Sequence, residues 1–112
     1  MPQLVLGSTY QFAVTNAGIY SVDTLVVNSA TDGIMVRTNN APESGLSAVG
    51  LVYARLGSAS SRITVVWPPS IVFPQNRTNL YLLIYSNVNR GSYQSTDSMG
   101  MSVSGPFERN LP

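Results

Sequence analysis

Cysteine, histidine and lysine are all absent from this chain of 112 residues. Without cysteine there is no disulfide framework and no thiolate chemistry, and the redox compartment stays open. Without histidine and lysine the usual general base and the Schiff-base amine are missing. A serine triad has no base to build on, and a zinc site has no nitrogen or sulfur ligands. Charge is scarce as well: 10% of residues are charged, against about 25% in an ordinary soluble protein.

The six cations are Arg37, Arg55, Arg62, Arg77, Arg90 and Arg109, and the acids are Asp23, Asp32, Glu43, Asp97 and Glu108, for a net charge of +1. The arginines are scattered, so there is no basic stripe to track phosphates and no polybasic patch for a membrane surface. Nucleic acid and membrane insertion are therefore not expected as partners. No apolar run approaches the roughly 20 residues of a membrane helix. The start, MPQLVLGSTY, lacks the basic and apolar regions of a signal peptide.

In place of charge the chain carries Ser, Thr and Asn, with 44% hydrophobic residues. The length suits one domain over residues 1–112. A domain of this size buries roughly two-thirds of its unfolded surface and needs no staples. Short apolar segments alternate with turn signals. Tyr10, Phe12 and Val14 share one face of TYQFAVT, and IYSVDTLVV, IMVR, VGLVYARL, RITVVW and SIVF follow. Asp32-Gly33 reads as a hairpin turn. The stretch 88–98 reads as a loop, MGMSVSG as a weak last strand, and 106–112 (PFERNLP) as a tail. No window shows a helical period. The pattern predicts an all-β fold, an antiparallel and jelly-roll-like β-sandwich of about eight short strands, with a small closed barrel as the alternative.

Catalytic and metal motifs are weak. The five acids lie far apart, so a glycosidase pair is disfavoured. Asp23-Thr24-Leu25 lacks the glycine of an aspartic-protease loop, and Asp23 is expected on a solvent face or strand edge. SATDG and STDS supply one acid each, short of a calcium cluster. No enzyme activity, cofactor or metal is expected. Trp67, the one tryptophan, reads as core or rim packing, with a sugar-stacking platform as the other use.

The segment NLYLLIYSN is apolar on both faces: Leu80, Leu82 and Ile84 on one, Tyr81, Leu83 and Tyr85 on the other. One face is core, and the other lies under a loop or against another subunit. Tyrosine suits interfaces, which assigns Tyr81, Leu83 and Tyr85 to self-association. Low charge offers little resistance to assembly. Polar loops with Asn39, Asn40, Glu43, Asn89, Arg90 and Tyr93 read as contact loops, since a rigid amphipathic ring beside adaptable polar groups suits recognition.

The stretch VYARLGSASSRITVVWPPS, the Ser/Thr/Asn-rich surface and the ending SGPFERNLP resemble the protruding surface domain of a small icosahedral RNA virus coat protein, nodavirus-like or tombusvirus-like. That resemblance implies an antiparallel β domain on the virion surface, paired as a homodimer, whose outer loops attach to a host receptor or glycan. The alternative is an extracellular carbohydrate-binding or adhesion module, with Trp67 and Tyr93 as stacking platforms.

Overall fold

Short alternating segments with β-branched and aromatic residues fit a pleated, half-buried surface. In a computed structural model, which describes residues 6–16, 19–38, 45–68, 77–98, 100 and 102–112, they form eight strands and, among the described residues, no helix. These are β1 (Thr9–Asn16), β2 (Ile19–Val27), β3 (Asp32–Thr38), β4 (Gly45–Arg55), β5 (Ser60–Trp67), β6 (Arg77–Tyr85), β7 (Arg90–Asp97) and β8 (Ser102–Asn110). Each pairs antiparallel with the next, and β8 returns to β1, so the sheet is a closed meander. The all-β class and the strand number agree with the sequence reading. The architecture is the barrel alternative, because every strand pairs with its sequence neighbour and no connection crosses between two sheets. Closure removes the sheet edges.

An eight-stranded barrel is just wide enough for its interior to be filled by side chains. Aliphatic residues of β2 to β5, among them Leu25, Val27, Met35, Leu51 and Val65, fill one side. Aromatic rings fill the other. Phe12 stacks on Tyr81 at 4.4 Å between centroids and meets Tyr93 edge-on at 5.0 Å, while Tyr85 meets Phe107 edge-on at 5.0 Å. Room for these rings comes from glycine on the neighbouring strand. Gly91 pairs with Phe107, and Tyr93 with Gly105. A Cβ on Gly91 would meet the Ile84 carbonyl and the Phe107 ring, and one on Gly105 would lie 2.7 Å from the Ala13 carbonyl oxygen.

Two strand assignments differ from the sequence reading. The stretch 90–97 is a strand, although its inward positions Gly91 and Ser95 and outward positions Ser92 and Gln94 carry no hydrophobic alternation. Residues 106–110, read as a tail, belong to β8 and close the barrel, with Phe107 opposite Phe12 and Arg109 opposite Tyr10. A proline at 106 argues against an interior strand, and Glu108 and Arg109 hide the alternation.

Asp32-Gly33 is not the turn. Asp32 begins β3, and the connection is the four residues 28–31. Its geometry recurs at 56–59 and 86–89. In each, the first two amides donate to the carbonyl of the residue after the loop: Asp32, Ser60 and Arg90. The last loop carbonyl (Thr31, Ala59, Asn89) then accepts from Leu51, Tyr85 or Arg109 on the next even-numbered strand, at 2.7–2.8 Å. The stretches NSATD, LGSAS and SNVNR share no residue type at any equivalent position, so the repeat is one of backbone geometry alone.

Candidate functional site

Strand β6 is apolar on both faces because one faces the lumen and the other faces solvent. Tyr81, Leu83 and Tyr85 are 2%, 0% and 8% exposed, whereas Leu82 and Ile84 are 37% and 61% exposed. This overturns the assignment of Tyr81, Leu83 and Tyr85 to self-association: all three are sealed inside a single chain. The physical reason is parity. Both sets can be buried, and a one-residue change of phase exchanges every side chain between faces. The rings of Tyr81 and Tyr85 fill the lumen against Phe12 and Phe107.

The uncovered face is therefore Leu80, Leu82 and Ile84, and the register extends it. Across β5, Leu80 continues to Thr64 and Val52, and Leu82 to Arg62 and Ala54. Val52 is 56% exposed. Arg62 is the single charge among the described outward residues of β4 to β6. On the other side the face stops at one strand boundary, where Leu80, Leu82 and Ile84 pair with Thr96, Gln94 and Ser92. An exposed apolar patch with a polar rim is the usual mark of a contact surface.

The expected contact loops are only partly in view. Asn39, Asn40 and Glu43 lie outside the described residues. Asn89 and Arg90 are exposed at the 86–89 turn, with the Arg90 guanidinium 3.5 Å from the Glu108 carboxylate on the neighbouring strand. Tyr93 is not in a loop. It points into the lumen of β7, and its hydroxyl donates to the Ala13 carbonyl at 2.6 Å. Burial pushes its pKa up to about 12, with a smaller push from Asp23. Trp67 is buried, as its packing reading required. Its Nε1 donates to Asn79 Oδ1 at 2.8 Å, and Arg77 lies over its ring. Neither ring is an open platform for a sugar.

Sequence reasoning missed a polar cluster inside the barrel end that carries the three matched turns. Tyr10, Tyr53, Ser61, Tyr85 and Arg109 come from five different strands. Tyr10 and Ser61 are fully buried and Arg109 is 3% exposed. Arg109 Nη2 donates to the Val88 carbonyl at 2.6 Å, and its guanidinium lies 5.3 Å from the Tyr85 ring centre. Within the cluster the Tyr10 hydroxyl interacts with Tyr85 and Arg109, and the Tyr53 hydroxyl with Ser61. Burial first, and then Tyr85, raise the pKa of Tyr10 and Tyr53. The tyrosine and arginine spacings that build this cluster follow no motif, so it becomes visible only once the register is known.

The acids do not gather. Asp32 Oδ2 accepts from Ser29 and Thr31 within its own turn. Asp23 is 7% exposed and faces inward on β2, not solvent as expected. Among the described residues no three potential ligands cluster around a metal position, and no helix is long and apolar enough to cross a membrane. No family model matches the chain, and no curated protein or solved structure matches it either.

Proposed function

We propose that the chain is a non-enzymatic structural module that pairs with a second copy of itself through the outer face of β4 to β6. The observation that carries this reading is the exposure of Val52, Leu82 and Ile84 on one outward face, with Arg62 as its single described charge. A face without a charge pattern offers nothing to select a differently charged partner, and two such faces exclude water from one another equally well. The closed barrel leaves no edge for strand addition, so association through the face is the route open to it.

The setting we propose is the virion surface, with the pair presented outward and exposed turns such as 86–89 meeting a host receptor or glycan. This rests on the resemblance of VYARLGSASSRITVVWPPS and SGPFERNLP to capsid surface domains. An aqueous setting is supported by the barrel itself. A membrane barrel carries an apolar band all round and a polar lumen, whereas here the lumen is aromatic and aliphatic and the outward residues of β7 and β8 are mainly polar.

The test is sedimentation equilibrium of the wild type, of Leu82→Asp/Ile84→Asp and of Ser92→Asp/Gln94→Asp. A wild-type dimer, abolished by the first pair and kept by the second, is expected. A wild type that stays monomeric, or equal behaviour of both variants, would sink the proposal.

A further inference from the structure

Among the described residues seven large hydrophobic side chains are exposed, and they fall on two surfaces. Val52, Leu82 and Ile84 lie on the outward face of β4 to β6. The other four, Leu6, Leu56, Val88 and Leu111, are 46–56% exposed and lie at the barrel end that carries the three matched turns. Leu56 opens the 56–59 turn, and Val88 is the third residue of the 86–89 turn. Leu6 precedes Gly7, whose amide donates to the Val27 carbonyl beside the 28–31 turn. Leu111 follows Arg109, whose amide donates to the Asn89 carbonyl. Strands β1 and β8 come together at this end: Thr9 pairs with Asn110, and a Cβ on Gly7 would lie 3.4 Å from the Pro112 Cβ.

A single exposed leucine needs no explanation, but two of these four break local rules. Turns favour Gly, Pro, Asn, Asp and Ser, and neither Leu56 nor Val88 adds to the core. The 86–89 turn is nevertheless tied in place. Arg109 Nη2 donates to the Val88 carbonyl at 2.6 Å, and the Arg109 amide to the Asn89 carbonyl at 2.7 Å. Side chains that break a local rule without a packing gain are expected where a surface has a function. Around them the end exposes Asn28, Ser58, Asn87 and Asn89, which are polar and uncharged. Two exposed cations flank the tips. Arg55 adjoins Leu56, its Nε donating to the Gly57 carbonyl, and Arg90 follows the 86–89 turn. The acids of this end are engaged locally, Asp32 by Ser29 and Thr31 and Glu108 by Arg90.

We propose that this rim docks on the surface of a lipid bilayer, with Leu6, Leu56, Val88 and Leu111 entering the headgroup region. A protein partner is met by a buried apolar centre inside a polar ring. Here apolar tips come from four separate segments with polar groups between them, which suits a planar, fluid surface that closes around each tip. The Asn and Ser groups then meet headgroups, and Arg55 and Arg90 favour anionic ones. The scattered arginines give no polybasic route to a membrane, so apolar contact carries the affinity and the docking is peripheral. The proposal goes beyond the reading above, in which these turns face a host: the surface met there is the lipid itself, and pairing through β4 to β6 does not depend on it.

The experiment is flotation with vesicles of phosphatidylcholine containing a minority of phosphatidylglycerol, and with vesicles of phosphatidylcholine alone. The wild type is expected to float with the mixed vesicles, and less with the neutral ones. Leu56→Ser/Val88→Ser should lower the partition coefficient about tenfold or more, with the thermal midpoint and the sedimentation of the chain unchanged. Methyl NMR signals of the four rim residues should broaden when a nitroxide-labelled lipid is added to the vesicles, and those of Val65 in the lumen should not. A wild type that floats with neither vesicle, or a double variant that floats equally well, would overturn the proposal. Rim signals that broaden with protein concentration and not with lipid would give the rim to a second copy of the chain and overturn it too.

Discussion

Strands β6 and β7 lie side by side and pair residue for residue, yet their outward faces are opposites. Leu80, Leu82 and Ile84 stand directly against Thr96, Gln94 and Ser92. Their inward faces obey a common rule: Tyr81, Leu83 and Tyr85 on one strand, Tyr93 between small residues on the other, all closing one lumen. The barrel interior therefore explains half of β6 and all of β7. The outward half of β6 serves nothing within the chain. Residues needed only for folding would leave that face as polar as its neighbour's, and this difference is what supports the proposed association through the face of β4 to β6.

The comparison is broken most severely from the inside. Phe12 touches four other rings, and Phe12→Ala should cost about 3–5 kcal/mol of unfolding free energy in a urea titration. A loss as small as that of an outward substitution would show that the lumen is not packed as described. Next comes Gly91→Ala, where the added methyl meets the Ile84 carbonyl and the Phe107 ring. A loss of about 1–3 kcal/mol is expected, with partial relief when Phe107→Leu is added.

Tyr93→Phe should cost about 1 kcal/mol by removing the hydrogen bond to Ala13, and it also sharpens a pH dependence. The folded pKa of about 12 lies above the unfolded value near 10. The native state thus keeps a proton that the unfolded state releases. This stabilisation is complete below about pH 10 and is lost as pH rises towards the folded value of about 12. Chemical unfolding followed from neutral pH to beyond that window should show a shallower alkaline decline in Tyr93→Phe than in the wild type; equal slopes would contradict the burial of this phenol. Smallest of all, Leu82→Ser and Ile84→Ser should each change the stability of the dissociated chain by less than about 0.5 kcal/mol, although they weaken association. A change of several kcal/mol would place these residues in the core.

Much of the fold was readable and the association face was readable only in outline. Strand β2 appears in the sequence with its observed bounds, and the count of about eight strands agrees, although 90–97 was read as a loop and SIVF (70–73) lies outside the described residues. What the sequence withheld was of two kinds. Strand order depends on which neighbours pair, and short strands with similar turns suit a sandwich and a meander equally; closure was hidden in β8, where Pro106, Glu108 and Arg109 mask an inward Phe107. Phase was the second. That NLYLLIYSN has two apolar faces was plain, but tyrosine suits a lumen and an interface equally well, and the assignment came out reversed. Tyr93 was misplaced for a related reason: its small inward neighbours, Gly91 and Ser95, look like loop residues until Phe107 is seen to occupy the space they leave.

Isotope-filtered intermolecular NOEs, measured on a mixture of labelled and unlabelled protein, test the central claim most directly. Contacts between chains are expected from the methyls of Val52, Leu82 and Ile84, and none from the outward side chains of Ser92 and Gln94. Intermolecular contacts absent from these methyls in a sample that sediments as a dimer would contradict it.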